Sequence, residues 1–135
     1  MNLLRRPGSI VYGLVNLGAF LGGLLISLDL LPGFAGNARW TTNQHPGWSA
    51  SYIARIDGGV FFLGTVILFL GLLGVFSSRR VFPIFSLIGV TFSLLVSVPY
   101  VAGGNSQTWS LASVFCEFVV LILSLIKLKQ IRKLR

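Results

Sequence analysis

Acidic residues are almost missing from this chain. Among 135 residues there are three, Asp29, Asp57 and Glu117, against eleven Lys and Arg. There is one cysteine, Cys116, and one histidine, His45. A single cysteine excludes an internal disulfide and the paired-cysteine chemistry of thiol oxidases. A single histidine excludes a bis-histidine haem held by this chain alone. A metal centre built from a cluster of His and Cys is excluded on the same count. No cofactor is expected. There is no Ser/His/Asp set and no glycine-rich phosphate loop, so the chain does not read as an enzyme.

Charge of either sign is scarce too. Charged residues make up 10% of the chain, where a soluble domain carries roughly 25%. What fills the space is hydrophobic: 54% of the residues, with a mean hydropathy of +0.85. Four apolar runs, residues 10–31, 53–76, 81–101 and 109–126, each reach the roughly 18 residues that a helix needs to cross the hydrocarbon core. The pattern predicts an all-α membrane protein, with four transmembrane helices in a single up-down bundle and one domain over residues 1–135. Arg5 and Arg6 before the first run imitate a signal peptide. The run exceeds the roughly 7–15 residues of a signal core, so it reads as an uncleaved first span.

The net charge of +8 does not point to nucleic acid, because of where the charge lies. Arg5, Arg6, Arg79, Arg80, Lys127, Lys129, Arg132, Lys133 and Arg135 all flank spans and fall on one side of a four-span chain. The other side has Arg39 and Arg55. Lys and Arg accumulate on the cytoplasmic side, so both termini are expected there. The basic rim suits the anionic lipid headgroups of that leaflet. Residues 127–135 continue a helical pattern as a basic amphipathic extension, or serve as the stop-transfer anchor of the last span.

The opposite face is marked by aromatics. Trp40, Trp48, Tyr52, Tyr100 and Trp109 fall near it, either as a belt at headgroup level or as a docking surface. The longest connection, residues 32–51, lies on this side and is rich in Gly, Pro, Asn and Thr. The connection between the second and third spans is very short, so those helices are antiparallel neighbours.

Inside lipid there is no hydrophobic drive between helices, and small residues let backbones approach. Gly18 and Gly22 sit at GxxxG spacing in the first span. Gly64 and Gly71 lie a heptad apart in the second. Gly89, Ser93 and Ser97 follow at i+4 steps in the third. Ser110, Ser113, Glu117 and Ser124 share one face of the fourth. Asn16, Gly23 and Ser27 draw a second polar line on the first helix, which suggests more than one neighbour.

The acids form the candidate site. Glu117 lies about 12 Å below the outer end of span four, from a rise of about 1.5 Å per residue. An ionisable group inside a span costs at least about 2.5–3.5 kcal/mol, so it faces the interior and has a partner. Asp29 and Asp57 fall in the same outer half, with Arg55 two residues from Asp57. Paired with Arg55, Glu117 would tie two helices together. Without a cation it would be a proton or cation site.

Three functions fit these residues. The leading one is a non-catalytic accessory or structural subunit, packed in a larger membrane complex or a homo-oligomer. The second is a small proton- or cation-linked transporter or channel subunit using the intramembrane carboxylate. The third is an interfacial lipid- or quinone-handling membrane protein.

Overall fold

The computed structural model describes the backbone of residues 2–30, 50–102 and 108–134, and the side chains of residues 2–27, 59–102 and 108–134. Among these residues the chain is all-helical. Its four helices are α1 (Arg6–Leu30), α2 (Ala50–Leu73), α3 (Val81–Ala102) and α4 (Thr108–Lys133). The first, third and fourth are long and apolar enough to cross a membrane, and α2 contributes an apolar stretch over Gly59–Leu73.

Backbone hydrogen bonding, not hydropathy, sets the helix ends. α1 begins at Arg6, four residues before the apolar run. Pro7 falls in its first turn, where a missing N–H costs nothing. Ahead of it, residues 2–5 form a hook against α4. The Leu3 N–H donates to Gln130 Oε1 at 2.9 Å, and Ser9 Oγ donates to the Leu3 carbonyl at 2.8 Å. α2 stops at Leu73 rather than at residue 76. There the bonds shorten to i−3, from Gly74 N to Gly71 O (3.2 Å) and from Val75 N to Leu72 O (3.3 Å). This tighter geometry commonly closes a helix. α3 runs through Pro99 to Ala102, although the proline supplies no N–H to the carbonyl four residues earlier. α4 continues unbroken into the basic tail, ending at Lys133.

α1 packs against α2 and α4, and α3 packs against α2 and α4. Contacts within each pair run in opposite order along the two helices. A Cβ on Gly13 would meet Val75, and one on Gly23 would meet Thr65. Gly71 faces Ser86, and Gly64 faces Ser93. Tyr12 bonds Ser124, while Gly22 faces Ser113. Ser97 bonds Glu117, and Tyr100 stacks near Trp109.

Between the helices lie three apolar clusters. At the end holding the termini are Leu3, Tyr12, Val75 and Leu123. The middle holds Ala19, Leu68, Val90 and Val120. The far end holds Ile26, Phe61, Val96 and Tyr100. The small residues make this packing possible. At Gly89 a Cβ would lie 2.6 Å from the Leu68 nitrogen and 2.7 Å from the Gly64 carbonyl oxygen, so α2 and α3 meet backbone to backbone. Large apolar side chains such as Leu14, Leu63, Leu95 and Phe115 point outward, the arrangement that lipid, not water, solvates.

Candidate functional site: an interior carboxyl in a hydroxyl layer

One layer of the bundle can be followed from helix to helix. Ser113 of α4 stands against Gly22 of α1. The next residue, Gly23, stands against Thr65 and Phe61 of α2. Gly64, beside Thr65, stands against Phe92 and Ser93 of α3. One turn beyond Ser93, Ser97 Oγ donates to Glu117 Oε2 of α4 at 2.5 Å, closing the circuit. Helical side chains lean toward their own N-terminus. The carboxyl of Glu117 therefore reaches back along α4 toward Ser113, one turn earlier.

Glu117 is fully buried, at 0% exposure. Its Oε2 accepts from Ser97, and the Ser113 hydroxyl, one turn earlier on α4, reaches the same carboxyl. The hydroxyls of Ser27 and Ser93 are buried without a hydrogen-bond partner. Thr65 differs, because its hydroxyl donates to the Phe61 carbonyl at 2.9 Å. Unpaired polar atoms away from water cost about 1–3 kcal/mol each, and more when charged. Two such oxygens, Ser93 in the layer and Ser27 one turn beyond Gly23, together with the buried carboxyl, form a polar concentration that apolar packing does not explain.

A second polar group ties together the end that holds the termini. Tyr12 Oη and Ser124 Oγ are 2.6 Å apart. Ser86 Oγ donates to Asn16 Oδ1 at 3.1 Å, and Asn16 Nδ2 donates to the Tyr12 carbonyl at 2.9 Å. Lys127 is 1% exposed. Its Nζ donates to the Val75 carbonyl and lies 5.2 Å from the centre of the Tyr12 ring. Here every bond is made, and its parts connect different helices.

The expected site residues are placed as follows. Glu117 is inside, bonded to α3. The side chains of Asp29, Arg55 and Asp57 lie outside the described residues, as do Trp40, Trp48, Tyr52 and His45. Tyr100 is buried in the outer apolar cluster, with Trp109 packed against it. The rings are 6.4 Å apart at 51°, so Tyr100 faces the bundle rather than the headgroups. Gly18 and Gly22 face α4, while Gly64 and Gly71 face α3. Gly89 faces α2, and Ser93 lies beside Gly64 of that helix. Cys116 is half-buried, beside Gly18.

Sequence reasoning did not find Tyr12 or Ser86. Tyr12 and Asn16 are one turn apart, and Ser86 heads the line of Gly89, Ser93 and Ser97. Spacing could have placed them on the inner faces, but not against each other. Among the described residues no group of three or more His, Cys, Asp and Glu could hold a metal ion.

Fold and site together define a small helical bundle with a polar interior, three of whose helices are long and apolar enough to cross a membrane. No family model, curated protein or solved structure matches the chain.

Proposed function

We propose that this chain is a four-pass integral membrane protein with both termini in the cytoplasm, folded as one up-down bundle. Within it, Glu117 serves a proton- or cation-linked step, as in a small carrier or channel subunit. One observation carries the functional part: Glu117 is a fully buried carboxyl inside the bundle, met by serine hydroxyls. An ionisable group inside a span is costly, and such groups mark proton relays and ion pathways. The orientation rests on the one-sided Lys and Arg distribution, which also makes anionic headgroups the natural contact of the basic rim.

A purely structural or accessory subunit drew its support from the small size, the absence of an enzyme motif, the tryptophan-rich outer surface and surplus small-residue faces. Those faces are occupied within the chain. Gly18 and Gly22 meet α4, Gly64 and Gly71 meet α3, and Gly23 meets α2. Asn16 bonds Ser86. The outward side chains are apolar, and lipid satisfies them as well as a partner helix would. The lipid- or quinone-handling alternative depends on outer-face residues beyond those described.

The test is Glu117→Gln in proteoliposomes carrying a pH-sensitive dye, under an imposed membrane potential and an opposing sodium gradient. The wild type should dissipate a proton or cation gradient. The variant should retain its helical circular dichroism and lose the flux. Equal flux in both proteins would dispose of the proposal.

A further inference from the structure

The end of the bundle that holds the termini carries a groove remote from the carboxyl layer. Residues 2–5 fold back as a hook against the last turns of α4. Between hook and helix lies an open cavity of about 360 Å³, lined by Asn2, Leu4, Gln130, Lys133 and Leu134. The hook is fixed in place. Leu3 is fully buried in the cluster with Tyr12, Val75 and Leu123. Its N–H donates to Gln130 Oε1, and its carbonyl accepts from Ser9 Oγ. Gln130, Lys133 and Leu134 are spaced i, i+3 and i+4, so they share one face of α4.

The walls offer donors. Asn2 Oδ1 accepts from the Leu4 N–H at 3.0 Å, and Gln130 Oε1 accepts from the Leu3 N–H at 2.9 Å. Both side-chain acceptors are thus turned onto the hook's own backbone, while Asn2 Nδ2 and the Lys133 ammonium are donors. Arg5, Arg6, Lys129 and Arg132 are exposed on the same two segments. The chain's three acidic residues belong elsewhere: Glu117 to the interior layer, Asp29 and Asp57 to the far halves of α1 and α2. No acidic side chain therefore neutralises this rim. The walls are also partly apolar. Leu134 is 68% exposed and Leu4 is half-buried. A dissolved phosphate would leave both leucines in water. A phospholipid covers them, because its apolar stem follows directly on the phosphate.

We propose that this groove holds the headgroup of an anionic phospholipid, with its phosphate on Lys133 and Asn2 and its acyl stem against Leu4 and Leu134. This goes beyond the general attraction of a basic rim to an anionic leaflet, since it assigns one lipid to one built place. It rests on the membrane-spanning reading above, but not on Glu117.

The test counts lipids. The full chain in mixed micelles of phosphatidylcholine and phosphatidylglycerol is examined by native mass spectrometry, with circular dichroism as the check on folding. The wild type should retain one phosphatidylglycerol in preference to phosphatidylcholine. Lys133→Gln should weaken that retention about fivefold, the scale of one basic residue near anionic lipid. Gln130→Ala changes no charge but releases the hook, and should weaken it too. Lys129→Gln removes the same charge from outside the groove and should have the smaller effect. Equal losses from Lys129→Gln and Lys133→Gln, with Gln130→Ala like the wild type, would mean a diffuse basic rim and overturn the proposal. Displacement of the lipid by soluble glycerol 3-phosphate would also overturn it, since the leucines would then play no part. Lys133 is exposed, so its substitution leaves the fold intact even if Gln130→Ala does not. A chain that inserts and folds yet retains no phosphatidylglycerol fails this proposal alone, and the flux test of Glu117→Gln is untouched. A chain that stays dispersed without detergent would overturn the membrane-spanning reading as well.

Discussion

Lys127 Nζ donates a hydrogen bond of 2.5 Å to the carbonyl of Val75, two residues past the end of α2. The lysine is on the fourth helix and the carbonyl closes the second. The same ammonium lies over the Tyr12 ring of the first helix. A cation is favourable where a helix leaves its last carbonyls unpaired, and an aromatic face adds attraction. These two contacts explain how a lysine can be buried at the end of the bundle that holds the termini. One side chain thereby joins three helices.

Lys127→Met keeps most of the apolar stem and removes the charge. It should destabilise the bundle by about 1.5–3 kcal/mol, the range for a hydrogen bond to a charged group. Reversible unfolding in mixed micelles would measure it. A variant as stable as the wild type would mean that Val75 and Tyr12 do not hold the ammonium.

Two glycines of α2 should respond to alanine in opposite ways. At Gly71 a Cβ would lie 2.8 Å from the Ser86 nitrogen and 3.1 Å from the Phe82 carbonyl oxygen. Both are backbone atoms that cannot step aside, so Gly71→Ala should cost about 1–3 kcal/mol, as overpacking does. At Gly59 nothing lies within 4 Å. Gly59→Ala should be neutral, or stabilising by up to about 1 kcal/mol through helix propensity. Equal effects in the same unfolding assay would contradict the α2–α3 packing.

The existence of four helices could be read from the sequence because apolar runs long enough to span a bilayer have few other uses. Their ends could not, because backbone bonds outlast the apolar residues. α1 starts early at Arg6, and α4 carries on to Lys133. Glu117 was legible because a carboxyl in a span must turn inward. Its partner Ser97 was not, since choosing among the serines of a facing helix needs the inter-helix register. Tyr12 and Lys127 stayed hidden for a further reason: at a span's end, both residue types fit an interface anchor as well as a buried contact.

The bond between Tyr12 and Ser124 should show as a coupling energy, not merely as two separate losses. Tyr12→Phe and Ser124→Ala each remove one side of the 2.6 Å contact. In the double variant nothing is left unpaired, so the second change should cost less than it does alone. Interhelical hydrogen bonds in membrane proteins average about 0.6 kcal/mol and reach about 1.7. A double-mutant cycle with strictly additive losses would show that the two oxygens do not interact.

The proposed cytoplasmic placement of both termini makes the most demanding prediction, because the bundle then fixes every connection. Replacing Cys116 by Ala removes the single native thiol and allows labelling of introduced cysteines. Asn2 and Ser78 precede α1 and α3, and Lys133 ends α4. Antiparallel contacts bring these three positions to one end of the bundle. Cysteines there should react with a membrane-impermeant maleimide only in permeabilised cells. Ala102 and Thr108, at the ends of α3 and α4 that face the other way, should carry cysteines that react in intact cells. Charge asymmetry sets the orientation, so changing Arg5, Arg6, Arg79 and Arg80 to Gln should weaken it and yield a population labelled in reverse. Labelling of positions 2 and 133 from opposite sides would exclude an even number of crossings. It would also remove the geometric basis for burying Glu117 inside a four-span bundle.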